Sequence, residues 1–339
     1  MKIKKKLLRK GYISKRILPR NFTPEDFHLF KDEITKKINN SYVTKHNKIL
    51  SYNNSLFNRF GKEILTDHTK MGKISLERKI KLFIKKNNLS SLEKINIDKA
   101  SWVIDEKSNR FFHWYTDTLS RIYNIIDLTD EYPVLISDSL LENNYIKNSL
   151  DSLKINYLAY DLNKLLNIET LLIASHTAPT GNYNKELVEI MSKKLSGEYS
   201  NNISKNKSEN IWISRNNGSY RRIINENELS KILKKFNFEI YFPENHDFEF
   251  NQNIFSKAKI IGGLHGAGLT NMMFMKKGGK IIEIRRKDDS SNNCYFSLAS
   301  DLEHKYYYIN ALSENEDLFL SDCYLDPEEL ENLFNKIIN

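Results

Sequence analysis

The stretch from Lys259 to Ile284, KIIGGLHGAGLTNMMFMKKGGKIIEI, decides the fold. A short apolar run, Ile260-Ile261, turns through Gly262-Gly263 and brings His265 just ahead of Gly266-Ala267-Gly268. Apolar residues then recur at helical spacing (Leu269, Met272, Met273) until Lys276 to Lys280 breaks the helix. Ile281-Ile282-Glu283-Ile284 reads as a second strand. The pattern predicts a βαβ unit with a glycine-rich first turn. Glycines there let the backbone approach a ligand closely, and a helix N-terminus offers free N–H groups and positive dipole charge to an anion. The spacing Gly263-x-x-Gly266-x-Gly268, with a histidine inside it, departs from the dinucleotide fingerprint G-x-G-x-x-G. Glycines, a histidine and a strand-borne glutamate together point to a site for a nucleotide diphosphate.

Working outward, Ile211-Trp212-Ile213-Ser214 reads as a strand ending at Arg215. Asn225 is the expected N-cap of a helix from Glu226 to Phe236, with Glu228 at the capping-box position. A strand from Phe238 to Phe242, a helix from about Asp247 to Lys257 and a strand near Tyr306 to Ile309 follow, and Pro327 opens a final helix. In the N-terminal half, strands are expected at Ser101 to Ile104, Pro133 to Ser137, Tyr157 to Tyr160 and Thr170 to Ala174. Helices from about Phe112 to Ile126, Leu140 to Leu153 and Asn184 to Leu195 alternate with them, which predicts mostly parallel sheets. Asn21 to Ala100 holds helix-like segments such as Glu77 to Lys86 and no catalytic constellation. The polar run Gly197 to Glu209 is the best inter-domain linker.

The chain of 339 residues is long enough for two α/β domains, and its 40% hydrophobic and 28% charged content is that of a soluble globular protein. No run is apolar enough to cross a bilayer, since Ile260 to Met275 is interrupted by His265, four glycines and Asn271. With no apolar h-region behind the basic N-terminus and only two cysteines, a cytoplasmic location is expected. The net charge of +9 comes from Met1 to Arg20, which holds nine Lys or Arg and no acid; the rest is balanced. That argues against a nucleic-acid footprint and leaves two readings of the arm. It is either an interfacial amphipathic helix on an anionic membrane or a solubilising tail.

The run Trp212-Ile213-Ser214-Arg215, Arg221-Arg222, His265-Gly266-Ala267-Gly268-Leu269-Thr270-Asn271 and Ile282-Glu283-Ile284 resembles glycosyltransferase family 61. A shorter likeness, to an HW-x-x-D pattern, lies at His113-Trp114-Tyr115-Thr116-Asp117. The resemblance implies a GT-B-like α/β fold: two Rossmann-like domains with mostly parallel sheets and a cleft between them. The expected divisions are a basic arm at 1–20, an acceptor-side domain at 21–197, a linker at 198–209 and a nucleotide-sugar-binding domain at 210–339. It also implies an inverting, nucleotide-sugar-dependent transferase. With the basic, cytoplasmic chain, that points to assembly of a bacterial capsule or lipopolysaccharide.

On this reading Arg215 and Arg222, with Arg221 the lesser candidate, grip the diphosphate from loops. His265 stabilises the leaving group, while Gly266, Ala267, Gly268, Leu269, Thr270 and Asn271 supply backbone donors and a hydroxyl. Glu283 takes the ribose hydroxyls, or else pairs with Arg285 or Arg286. Inversion needs a base for the acceptor hydroxyl. His113 and Asp117, four apart on a helix, supply it, either as a histidine oriented by the aspartate or as Asp117 alone, with His176 as the outsider. There is no D-x-D pattern, so neither metal nor cofactor is expected. Two rivals stand: a pyruvyl- or phosphate-transferring polysaccharide-modifying enzyme, and a non-enzymatic membrane-surface scaffold.

Overall fold

A computed structural model of the protein describes residues 4–64, 92–196, 208–218, 221–315 and 321–338. The expected helix Glu77 to Lys86 and most of the expected linker lie outside them. The residues form two compact units: Met1–Tyr12 with Ile38–Thr180, and Ile13–Lys37 with Gly181–Asn339.

The first residues are not a helix. Lys4–Arg9 (β1) is a strand, and Tyr12–Lys15 (β2) pairs with Thr35–Ile38 (β3) in a two-stranded sheet. β1 lies antiparallel to Ser41–Tyr52 (β4). Its exposed lysines suit an edge strand, where charge discourages further pairing, and Gly11 interrupts any helical period. Phe27–Ile34 (α1) buries Leu29 and Phe30 in the second unit.

The first unit is built on a sheet of eight strands among the described residues. Beyond β4 come Ser55–Phe57 (β5), Glu63–Ile64 (β6), Lys94–Trp102 (β7), Val134–Ser137 (β8), Tyr157–Tyr160 (β9) and Leu165–Ala174 (β10). The order is β6-β5-β4-β10-β7-β8-β9, with β1 beside β4. β10, β7, β8 and β9 run parallel, whereas β4, β5, β6 and β1 are antiparallel. The sheet is therefore mixed rather than mostly parallel. The antiparallel part comes from 41–64, where Asn, Lys and Ser alternate too weakly with apolar residues to announce strands. One helical segment, 111–124 (α2), follows β7. Its middle, Trp114–Thr118, is a π-helical turn between α-helical Phe111–His113 and Leu119–Asn124.

The second unit holds Asn210–Ile213 (β11), Phe238–Tyr241 (β12), Ile260–Leu264 (β13), Lys280–Arg286 (β14), Lys305–Ser313 (β15) and Cys323–Tyr324 (β16). The order is β12-β11-β13-β14-β15-β16, parallel throughout except β16. This is a doubly-wound arrangement of the 2-1-3-4-5 kind. Glu226–Lys235 (α3) and Pro327–Ile338 (α4) cover one face, where Trp212, Leu229, Leu233, Ile282, Leu330 and Phe334 form the core. Each such side chain contributes about 1.5–3 kcal/mol by leaving water. Asn225 does not cap α3. Its amide is drawn away by the backbone of Leu325, which it both bonds and accepts from. No helix among the described residues is long and apolar enough to cross a membrane.

Candidate functional site

In a 2-1-3-4-5 sheet the chain leaves β11 and β13 in opposite directions, and a crevice opens beyond their carboxyl ends. Arg215 follows β11 and His265-Gly266 follows β13, so the sequence places its candidates at that switch point.

A buried carboxylate shapes the first loop. Glu226 accepts from Trp212 Nε1 at 3.0 Å, Ser214 Oγ at 2.5 Å and Asn216 Nδ2 at 2.6 Å. This fixes the chain on both sides of Arg215. Arg215 Nε donates to the Arg221 carbonyl at 3.0 Å, and Arg221 Nη2 donates to the His265 carbonyl at 2.9 Å. Arg221 sits at φ 61°, a left-handed conformation uncommon outside glycine. A Cβ on Gly266 would land on the Arg215 guanidinium, so a side chain there would push that group from its present place.

The second loop rests on Glu283, in the middle of β14 and fully buried. One carboxylate oxygen accepts from His265 Nδ1 and the other accepts from the Tyr306 hydroxyl at 2.5 Å. Arg285 Nη1 lies 3.8 Å away. With Nδ1 committed to the carboxylate, Nε2 is the atom of His265 left for a ligand. Burial, then the neighbouring Glu283 charge, hold the Tyr306 hydroxyl well above its usual pKa, so it stays a donor. Burial opposes the charge on Arg285, but Tyr306 and Glu283 more than offset this and keep it cationic. The His265 ring meets Tyr295 edge-on at 4.9 Å.

Several expected residues stand elsewhere. Glu283 has both oxygens occupied inside the core and is not offered to a ribose. It holds His265, with a distant Arg285 contact of the kind the salt-bridge reading anticipated. Arg222 turns away to Asp322, donating through Nε at 3.0 Å and Nη2 at 2.7 Å. Burial alone would raise the Asp322 carboxyl, but these bonds carry it below the usual carboxylate range. Arg221, not Arg222, reaches the His265 loop. The segment Ala267–Phe274 is a 3-10 helix, with Leu269, Thr270 and Asn271 buried. Asn271 Nδ2 donates to the Gly268 carbonyl at 2.8 Å, bracing the turn from inside. Ala267 and Gly268 remain accessible. Glu226, Tyr295 and Tyr306 were not foreseen. A glutamate opening a helix, a tyrosine within a helix and another in a strand give no sign in sequence of the loops they support.

In the first unit, His113 Nδ1 donates to Asp117 Oδ2 at 2.7 Å, and Thr116 Oγ1 lies 3.3 Å from Oδ1. Asp117 is the more buried of the pair. One turn on, Arg121 Nη1 and His176 Nε2 each approach Asp105 Oδ2 at 3.5 Å, and Arg121 grips the Ala174 carbonyl at the end of β10. Thus α2 aligns two acid–base groups beyond the carboxyl ends of β7 and β10. The π turn that carries Asp117 is the kind of helix defect found at functional sites. Among the described residues, no three His, Cys, Asp or Glu side chains gather to hold a metal ion.

The family model described as Glycosyltransferase 61 matches residues 111–282, just over half of the chain, and spans both His113–Asp117 and the His265 loop. The chain belongs to the glycosyltransferase 61 family. The matched family is one of glycosyltransferases. Among curated relatives, the EGF domain-specific O-linked N-acetylglucosamine transferases of Pan troglodytes and Gallus gallus are each 32% identical, over 88 and 85 residues. Each match covers 24% of this chain and 16% of the relative. This glycosyltransferase 61 chain therefore shares only a segment with them.

Proposed function

We propose that this chain is an inverting, metal-independent transferase of GT-B type. It moves a sugar from a nucleotide-sugar donor to a saccharide acceptor while a bacterial surface polysaccharide, capsule or lipopolysaccharide, is built. The observation that carries the donor site is the meeting of Arg215, Arg221 and His265 at the switch point of the second sheet. The acceptor hydroxyl gives its proton to His113 Nε2, oriented through Nδ1 by Asp117. Its oxygen attacks the anomeric carbon from the face opposite the diphosphate. The bond from that carbon to the phosphate oxygen breaks, and the diphosphate leaves with the electron pair. Guanidiniums and His265 Nε2 stabilise the growing charge in place of a divalent cation.

The anionic-membrane partner proposed for 1–20 now falls to the exposed Lys4, Lys5, Lys6, Lys10, Lys15 and Arg20, since Arg16 is buried. The relatives' names give a second reading of the acceptor, an EGF-type protein domain, resting on the 32% match. The test is incubation with α-linked UDP- and GDP-sugars, with the anomer of the first product followed by proton NMR. Release of a β-configured sugar or glycoside is expected. An α product, or no turnover and no nucleotide binding across the panel, overturns the proposal.

A further inference from the structure

A second site lies at the amino ends of the strands in the second unit, at the edge opposite His265. There a cavity of about 590 Å³ is floored by Ala258, Ile260 and Ile338 and rimmed by Lys257, Lys259, Lys276, Lys277 and Lys280. Its size is ordinary for a small-ligand site. Five ammonium groups face one lining carboxylate, Glu209, which pairs with Lys259 at 2.7 Å. Lys277 is answered by Glu303 at 2.7 Å. No ion pair among the described residues joins Lys257, Lys276 or Lys280 to a carboxylate.

Lys280 makes the site more than a solvated run of charge. Its half-buried Nζ donates to the Ile337 carbonyl at the end of α4. Burial, and next the Lys305 ammonium, press its pKa down. The turn before it leaves the mouth open: Gly278 sits at φ 90°, where a side chain is disfavoured, and nothing lies near the place of its missing Cβ. Mutual repulsion among lysines that outnumber the described carboxylates around a concave opening is relieved by a bound polyanion, and focused fields in clefts raise the local concentration of such ions.

We infer that this lysine-rimmed cavity is a second anion site, for a phosphate-bearing ligand, separate from the donor site. Ammonium groups act on phosphate as point charges rather than as the planar forks expected for the donor. β13 separates the two edges by roughly 15 Å at about 3.3 Å per residue, so one diphosphate does not fill both. A free phosphorylated metabolite and a phospholipid headgroup share the chemistry that fits.

The experiment uses the full chain with UDP saturating the donor site. Inorganic pyrophosphate is titrated by calorimetry, and vesicles of phosphatidylcholine with phosphatidylglycerol are tested by co-sedimentation. Binding of at least one probe is expected, falling at least tenfold in Lys257→Gln/Lys276→Gln/Lys280→Gln while UDP affinity is unchanged. Pyrophosphate binding assigns a soluble ligand; binding of vesicles alone assigns a headgroup. Lys257→Gln/Lys276→Gln alters only exposed lysines and guards against misfolding, with a smaller loss expected at an unchanged melting temperature. Failure of both probes to bind, equal binding by the variants, or joint loss of UDP binding overturns the inference. The first two outcomes leave the donor-site proposal intact.

Discussion

Glu283 holds His265 from beneath, its carboxylate accepting from His265 Nδ1 on one oxygen and from the Tyr306 hydroxyl, at 2.5 Å, on the other. A fully buried carboxylate is costly unless every lone pair is answered, and here a histidine and a tyrosine answer it from two strand ends. The pair thereby fixes which imidazole nitrogen faces the ligand.

Glu283→Gln removes that control, because an amide can present a donor to Nδ1 and reverse the ring's tautomer. Turnover is expected to fall about 10²–10³-fold, the scale of losing one transition-state donor. Tyr306→Phe leaves the carboxylate in place and should cost about 1–3 kcal/mol of stability through a broken buried bond. Steady-state kinetics and melting curves check the two. Equal turnover in Glu283→Gln and wild type removes His265 from leaving-group stabilisation.

The two neighbouring arginines are expected to separate. Arg215→Ala should weaken UDP binding by about 1.5–3 kcal/mol, the range for a charge-assisted contact. Arg221→Ala should do the same, because it ties the two loops together. Arg222→Ala should leave UDP affinity within twofold, since its guanidinium is engaged by Asp322 and half-exposed. Calorimetry on the three variants gives the order. A loss confined to Arg222→Ala reverses the assignment.

Much of the second unit was legible because parallel strands buried on both faces read as apolar runs, and glycines mark turns that side chains cannot enter. The His265 turn and its strands are read from those signals, and the final helix from the proline, Pro327, at its first turn. What sequence could not show was partnership. Arg221 and Arg222 are adjacent, and only the left-handed backbone at Arg221 and the carboxylate of Asp322 distinguish them. Glu283 looked like a ligand contact because a lone acid in an apolar strand asks for a partner. The partners, His265 and Tyr306, lie 18 and 23 residues away. The N-terminal basic stretch failed for another reason: its charge is real, but backbone pairing with β4 sets its structure.

That stretch is part of the fold. Arg16 forms a buried ion pair with Asp301 and donates to Asn182 at 3.1 Å, and Ile17 N donates to Ser300 Oγ at 2.9 Å. Burial lifts the Asp301 carboxyl to about 6 in spite of Arg16. Arg16→Met should therefore destabilise the protein by about 3–5 kcal/mol, the cost of breaking a buried pair. Deleting residues 1–20 should be at least as severe. Urea unfolding followed by circular dichroism measures both. A truncated protein as stable as the full chain would make the stretch a dispensable tail.

Acid should loosen the same unit through His304. Burial pushes its pKa down to about 4, while Nε2 donates to the Met272 carbonyl at 3.0 Å. The depressed folded-state value means that the unfolded chain takes the proton first. The contribution is full above about 6.5 and is lost as pH falls toward 4, amounting to about 3 kcal/mol. His304→Gln should flatten the melting temperature between pH 6.5 and 4 relative to wild type. An unchanged slope assigns the acid sensitivity to other groups.

The base is the most exacting prediction, since the structure offers two acid–base groups on α2. If His113 takes the acceptor proton and Asp117 orients it, His113→Ala and Asp117→Asn should each lower kcat by about 10²–10⁴-fold. UDP affinity should stay within twofold in both, because neither residue belongs to the donor loops. Asp117→Asn keeps the shape of the pair but offers Nδ1 an amide in place of a carboxylate, so its loss reports orientation rather than packing. Asp117 acting alone predicts a different pattern: a large loss in Asp117→Asn and a mild one in His113→Ala. His176→Ala is the control for the neighbouring group, where Asp105 stands between His176 and the Arg121 anchor on β10. It should leave kcat within tenfold. A collapse in His176→Ala with near-normal transfer by both α2 variants moves the base from His113 to His176.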